Sequence, residues 1–224
     1  MPRTFVIADI HGCHQALARL LEKISPDPDR DTLVFLGDYV DRGPASREVV
    51  ETLLDLRRSH ARLVTLMGNH ESMLLDYLAG GDPGLFLAAG GAETLESYGI
   101  VTYGDQWTQE VLPPEHRRFL EGLLPWWEDE NFIYVHAGLE PGVELACQSK
   151  DWLLWARQGF IDSDFDFGKR VIYGHTPWPE PRVDATRIGI DTGAVYGGRL
   201  TCLVLPEMEF VSVEGGVHEA GWRD

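Results

Sequence analysis

The chain has 224 residues, 44% of them hydrophobic, and 19 Lys and Arg stand against 36 Asp and Glu for a formal net charge of −17. That length and composition fit one large α/β domain, or one domain with a small cap, and exclude a disordered chain. The acidic field repels phosphate backbones and no basic run offsets it, so nucleic acid is not an expected partner.

No apolar run approaches the roughly 18 residues of a membrane span, so no membrane partner is expected. The N-terminus lacks the apolar length of a signal peptide. Cys13, Cys147 and Cys202 are odd in number and show no CxxC spacing. They predict a reducing, cytoplasmic setting rather than a disulfide framework or a zinc ribbon.

In chain order, Thr4–Ala8 is a β-rich run ending at Asp9-Ile10-His11-Gly12. Gln15–Ile24 carries Leu17, Leu20, Leu21 and Ile24 at helical spacing. Leu33–Leu36 is a short continuous apolar run that reads as a strand buried on both faces. Gly37 breaks it and delivers Asp38, Asp41 and Arg42 into one loop, at the strand end where open α/β sheets bind their ligands. Ser46–Leu56 repeats the helical period through Val49, Val50, Leu53 and Leu54, completing a strand–loop–helix unit twice over.

A third strand over Arg62–Met67 stops at Gly68-Asn69-His70-Glu71. From Ser72 to about Glu130 the pattern is helical, with helices expected over Leu85–Ala89, Ala92–Tyr98 and Pro114–Leu124 and a weak strand at Ile100–Tyr103. The expected organisation is therefore a single domain over 1–224 with a helical cap inserted at approximately 72–130. Strands resume at Asn131–Val135, ending in His136, and at Arg170–Tyr173, ending in Gly174-His175. Ile188–Ile190, Leu200–Leu205 and Phe210–Val213 close the chain. About eight strands exceed one open parallel sheet, so the fold class is α/β with two mixed sheets packed as a sandwich and flanked by helices.

Five strands thus end in residues that ligate metal or phosphate: Asp9 with His11, Asp38 with Asp41 and Arg42, Asn69 with His70, His136, and His175. Carboxylate, imidazole and amide donors together suit divalent ions of borderline character such as Mn, Fe or Zn. The other four histidines, His14, His60, His116 and His218, are expected to face solvent.

The ordered set DxH, GDxxDRG, GNHE, a strand-end His and a later GH resembles the metallophosphoesterase (calcineurin-like) superfamily. Within it the chain is most similar to the phosphoprotein phosphatase branch, including the bacterial and phage-type Ser/Thr phosphatases. The resemblance covers Phe5 to about Leu205. It implies a helix-flanked β-sandwich with two divalent metal ions, Mn foremost and Fe or Zn as alternatives, at the strand ends. By that likeness Asp9, His11 and Asp38 hold the first metal. Asp38, Asn69, His136 and His175 hold the second, with Asp38 bridging. Arg42 and Arg157 would bind phosphate, His70 would protonate the leaving oxygen, and Asp41 would orient and charge its imidazole. The mechanism implied is in-line attack by a metal-activated water.

The substrate expected is a phosphoprotein or a small phosphomonoester. Symmetrical dinucleoside tetraphosphate hydrolases share the scaffold and are the alternative. In the family pattern they tend to lack the second Asp of GDxxDRG and to carry GNHD, so Asp41 and Glu71 favour the protein-phosphatase side. The tail Ile190–Leu200 occurs in both groups. A non-catalytic binding module on the same fold is a remote third reading, since every ligand position is filled. The insertion, with Trp107, Trp126 and Trp127, is expected to shape substrate choice.

Overall fold

Along β1 (Thr4–Ile7), Phe5 and Ile7 point to one face and Val6 to the other, and all three are buried. A strand apolar on both faces needs a layer on each side. The computed structural model, which describes residues 2–100 and 112–216, supplies them. Helix α1 (His14–Ile24) covers one face with Leu17 and Leu20. After β2 (Thr32–Phe35), α2 (Ser46–Ser59) adds Val49, Val50 and Leu53 to the same layer. Each such Leu contributes about 2 kcal/mol by leaving water.

Past β3 (Leu63–Thr65) come α3 (Asn69–Leu78), α4 (Pro83–Phe86), a stretch over Leu87–Gly91 kinked at Gly90, α5 (Ala92–Ser97) and α6 (Pro114–Glu121). Leu74, Phe86, Leu95 and Phe119 from these helices join the apolar cluster of α1 and α2. The insertion is thus continuous with the outer helical layer. The chain then runs through β4 (Trp126–Glu128), β5 (Phe132–Val135), α7 (Lys150–Trp155) and α8 (Gln158–Ile161). It ends with β6 (Arg170–Tyr173), β7 (Arg182–Val183), β8 (Arg187–Gly189), β9 (Arg199–Leu205) and β10 (Glu209–Glu214).

These strands form two five-stranded sheets, ordered β10-β9-β1-β2-β3 and β4-β5-β6-β8-β7. Each has a parallel centre, β1-β2-β3 in one and β5-β6-β8 in the other, with antiparallel strands at the edges. Val6, Val34, Leu36, Tyr134, Ile172, Ile188 and Leu203 fill the space between them. The second sheet turns Val135, Val171 and Tyr173 outward onto Leu153, Leu154 and Phe160 of α7 and α8. Two parallel centres facing each other put six strand ends at one rim of the sandwich.

Two strands were not expected. β4 is a three-residue edge strand inside the stretch read as helical, and β7 is a two-residue one. Neither is long enough to show an alternation; pairing to β5 and β8 makes them strands. Trp126 and Trp127 consequently pack against the sheets, Trp127 stacking on Tyr134 with ring centroids 5.0 Å apart, and neither lines the pocket described below. Residues 101–103 of the weak strand, Trp107 and His218 lie outside the described residues. His116 is buried rather than solvent-facing and meets the Tyr98 hydroxyl at 2.9 Å.

Candidate active site

Each strand end at the rim is held by a neighbour. The loop after β1 donates Ile10 and His11 N–H to the carbonyl of Asp38 at 2.9 and 2.8 Å, which ties it to the loop after β2. That second loop is gathered around one carboxylate. Glu71, in the first turn of α3, accepts N–H from Asp38 (2.8 Å) and Gly68 (3.0 Å) on one oxygen and from Tyr39 (2.7 Å) and Val40 (3.2 Å) on the other. Across the sandwich, the Asp9 carboxylate accepts the backbone N–H of His175 at 3.0 and 3.1 Å. Gly174 has no room for a side chain, because a Cβ there would run into Asp9 Oδ1.

This bracing holds five non-glycine residues in the left-handed region: His11 (φ 46°), Asp38 (53°), Asp41 (71°), Arg42 (69°) and His175 (61°). Such backbone costs of order 1–3 kcal/mol per residue and persists where its surroundings over-determine it. It concentrates here, on residues singled out for their chemistry.

The side chains converge inside the rim. His11 Nδ1 donates to the Val40 carbonyl at 2.8 Å and His136 Nδ1 to that of Leu36 at 2.9 Å, so each presents the lone pair of Nε2 inward. His11 Nε2 lies 3.4 Å from Asp38 Oδ2, and His136 Nε2 lies 3.4 Å from Asp38 Oδ1 and 2.9 Å from Asn69 Oδ1. His175 Nε2 is buried with no hydrogen-bond partner among the described residues. Two groups of three candidate ligands result, His11–Asp38–His70 and Asp38–His136–His175, each with ligand atoms within 4.8 Å of one another. The first has His70 where the resemblance implied Asp9.

Burial governs the charge states. Desolvation, reinforced by Asp191 and by Asp38, raises the Asp9 carboxyl well above its usual range. Desolvation, then Glu71, does the same to Asp38. Asp41 is raised likewise, desolvation outweighing its hydrogen bond from Thr94. The histidines move the other way, burial pushing His136 down to about 3 and His175 down to about 2. His11 and His70 are also held well below the usual imidazole range by burial and then by Arg42. The His70 ring is only 1% exposed, so burial works against the charged imidazole that a carboxylate partner such as Asp41 would favour. His11 Nε2 accepts a hydrogen bond from the Arg42 guanidinium at 2.7 Å and Asp38 Oδ1 the backbone N–H of His70 at 3.1 Å, while His175 Nε2 is left with none among the described residues. Neutral imidazoles, buried carboxylates and an amide oxygen converging in this way are a donor set that fits a divalent cation.

Beside this cluster lies a pocket of about 490 Å³. Asp38, Asn69, His70 and His175 form its floor, and Arg42 and Arg157 both reach it. The remaining wall is Met73, Leu85, Ala89, Trp155, Pro177 and Tyr196, with Asp191 below. Trp155 is 42% exposed and sits edge-on to His175 with centroids 6.1 Å apart; Arg42 lies over the Tyr196 ring at 5.4 Å. All ten predicted site residues are thus at the rim. His70 meets Asp41 at 2.7 Å through Nδ1. Asp191 stands in the sequence beside the motifs, expected as a structural residue, and it follows β8 as the other site residues follow their strands. Tyr196 lies within the tail Ile190–Leu200 but was not expected at the site, and no spacing marks Trp155 as a wall residue.

A family model for calcineurin-like phosphoesterases matches residues 2–179. A bis(5'-nucleosyl)-tetraphosphatase, PrpE [asymmetrical], from Bacillus thuringiensis (strain Al Hakam) is 31% identical over 93% of this chain and 92% of its own. The protein of the same name from Geobacillus sp. (strain WCH70) is 30% identical over the same shares. A crystal structure provisionally assigned as a diadenosine tetraphosphatase superposes with a TM-score of 0.75 at 25% identity, covering 96% of both chains. A protein serine/threonine phosphatase from Saccharomyces cerevisiae shares the fold at a TM-score of 0.66 and 16% identity, over 97% of this chain and 81% of its own.

Proposed function

The chain belongs to the calcineurin-like phosphoesterase family and is a hydrolase, and on that premise we propose that it cleaves dinucleoside tetraphosphates asymmetrically. The observation that carries this reading is the wall of the pocket. A bare phosphate needs only the floor and two guanidinium forks. A volume of about 490 Å³ with an exposed indole and a tyrosine ring beside those forks suits a nucleotide, its base against the aromatic faces and its phosphates on Arg42 and Arg157. The names of the relatives support the same substrate and the asymmetric outcome.

Asp9, His11 and Asp38 would hold one divalent cation and Asp38, Asn69, His136 and His175 a second, with Mn our choice among Mn, Fe and Zn. Such ions, when bound, neutralise phosphate charge and make water a nucleophile near neutral pH. The chain's own groups do the rest. Arg42 and Arg157 grip non-bridging oxygens. Water adds to phosphorus as the anhydride P–O bond breaks, and His70 Nε2 gives its proton to the departing oxygen. An incoming phosphate anion next to His70 favours the charged imidazole that burial disfavours in the free protein. Asp41 fixes the ring through Nδ1. The products are a nucleoside monophosphate and a nucleoside triphosphate. The helices over approximately 72–130 serve as a cap within a single domain, and three free cysteines suit work in the cytoplasm.

A second reading, hydrolysis of phosphoprotein monoesters, is favoured by the Asp41–His70 pair, because a serine or threonine alkoxide leaves poorly without a proton. The two are separated by giving the protein, with Mn²⁺, diadenosine tetraphosphate or a phosphothreonine peptide at equal concentration. Faster appearance of AMP and ATP is the expected result. ADP alone would point to symmetrical cleavage, faster phosphate release from the peptide to the second reading, and no turnover of either would overturn both.

A further inference from the structure

The helical insertion brings to Asp41 a residue that no motif contains. Thr94, in α5, is fully buried and lies 53 positions from Asp41 in the chain. Its hydroxyl donates to Asp41 Oδ1 at 2.7 Å and accepts the Asp41 N–H at 2.8 Å, while Ser46 Oγ lies 3.0 Å away. A hydroxyl has one proton, which goes to the carboxylate as the stronger acceptor, and the Asp41 N–H is shared between Thr94 and Ser46 Oγ, 3.1 Å from it. The other carboxylate oxygen, Oδ2, is taken by His70 Nδ1 at 2.7 Å. Both oxygens of Asp41 are thus held, one by the imidazole and one by the insertion.

A second contact fixes the same junction. Gly90, at the kink between α4 and α5, accepts the Arg42 N–H on its carbonyl at 2.9 Å. At φ 98° a Cβ on Gly90 would lie 2.8 Å from Arg42 Cγ and from its backbone nitrogen. Consecutive residues of the loop, Asp41 and Arg42, are therefore pinned by two residues four apart in the insertion. The left-handed Gly90 kinks the chain between α4 and α5, and the insertion meets the loop at that kink and again at Thr94 beyond it.

We propose that Thr94 is a positioning residue for proton donation: by clamping the Asp41 carboxylate it aims His70 at the leaving oxygen. The inference rests on the reading of His70 as proton donor. Without the hydroxyl, Asp41 Oδ1 loses its side-chain donor and the carboxylate can rotate about its Cβ–Cγ bond, carrying the imidazole with it. A misplacement of about 1 Å costs up to about 10²-fold in rate.

The test uses the Mn²⁺-loaded full chain with two aryl phosphates, phenyl phosphate, whose phenolate leaves poorly, and 4-nitrophenyl phosphate, whose phenolate leaves well. Thr94→Val is expected to lower kcat on phenyl phosphate by about 10- to 10²-fold with KM unchanged, and to lower it far less on 4-nitrophenyl phosphate. Thr94→Ser, which keeps the hydroxyl, restores turnover on both. In a His70→Asn background Thr94→Val adds nothing, because the group it positions is gone. Equal loss on the two substrates, unchanged kcat on phenyl phosphate, or a further loss on top of His70→Asn would each overturn the proposal. Should Thr94→Val not fold, Thr94→Ala carries the same expectations. The two failures are distinguishable. His70→Asn losing equally on both substrates removes the proton-donor reading itself, whereas selectivity in His70→Asn without selectivity in Thr94→Val removes only the role of Thr94.

Discussion

On the floor of the pocket Asp38, Asn69 and His70 are at most 3% exposed, while on its wall Trp155 and Leu85 stand 42% and 60% exposed. The floor residues share partners: Asp38 alone faces three imidazoles, and its backbone and neighbours hang from Glu71. The exposed wall residues Leu85 and Trp155 come singly from α4 and α7, and Trp155 meets the floor edge-on at His175. A network in which each group fixes the next tolerates little change. A wall of independent apolar surfaces can be altered one residue at a time, which lets one chemistry serve different leaving groups.

The contrast can be broken by substitution, and the largest effect belongs to the floor. Asp38→Asn weakens the carboxylate common to both ligand groups and is expected to abolish turnover and lower the bound metal, counted by elemental analysis. Metal content equal to the unmodified protein would separate Asp38 from both groups. Next is the brace. Glu71→Gln puts an amide NH₂ against two backbone N–H donors, whichever oxygen it replaces, and is expected to cost about 2–6 kcal/mol of stability from those two unsatisfied buried donors, seen as a lower urea midpoint. A midpoint shift near zero would mean the loop holds itself. On the wall, Trp155→Ala should leave hydrolysis of 4-nitrophenyl phosphate near its starting rate. It should weaken use of diadenosine tetraphosphate by about 1–3 kcal/mol, roughly 5- to 150-fold in kcat/KM. Equal loss on both substrates would merge wall and floor.

The smallest effect lies away from both regions. Burial lowers the His116 pKa, so its unfolded form takes up a proton before the folded one does. Its contribution to stability is then complete above about pH 6.5 and is lost as pH falls below that. His116→Gln should flatten the loss of thermal stability between about pH 7 and pH 5 slightly; an unchanged profile would remove His116 from the acid response.

The same division explains what could be read before the fold was known. The floor was legible because parallel strands deliver ligands at their ends, and the residues of one loop are contiguous in the chain. Asp191 belongs to that pattern too. Glu71 was legible as a motif member and as a supporting residue beside the site; what the sequence could not show is the form of that support, four backbone N–H groups gathered on one carboxylate that touches no part of the pocket wall. Trp155 and Thr94 reach the site through helix packing, and packing leaves no spacing to read. β4 and β7 are strands only because a partner lies beside them.

The bond from His175 N–H to the Asp9 carboxylate joins loops from opposite sheets. Fraying of its own strand alone does not release an amide held this way; the Asp9 side chain of the facing sheet has to move away as well. Its hydrogen-exchange rate is therefore a clock for opening across the rim, slow when exchange demands global opening and faster if the rim breathes. The bond that shapes the rim also makes the motion of the two halves visible at a single nitrogen.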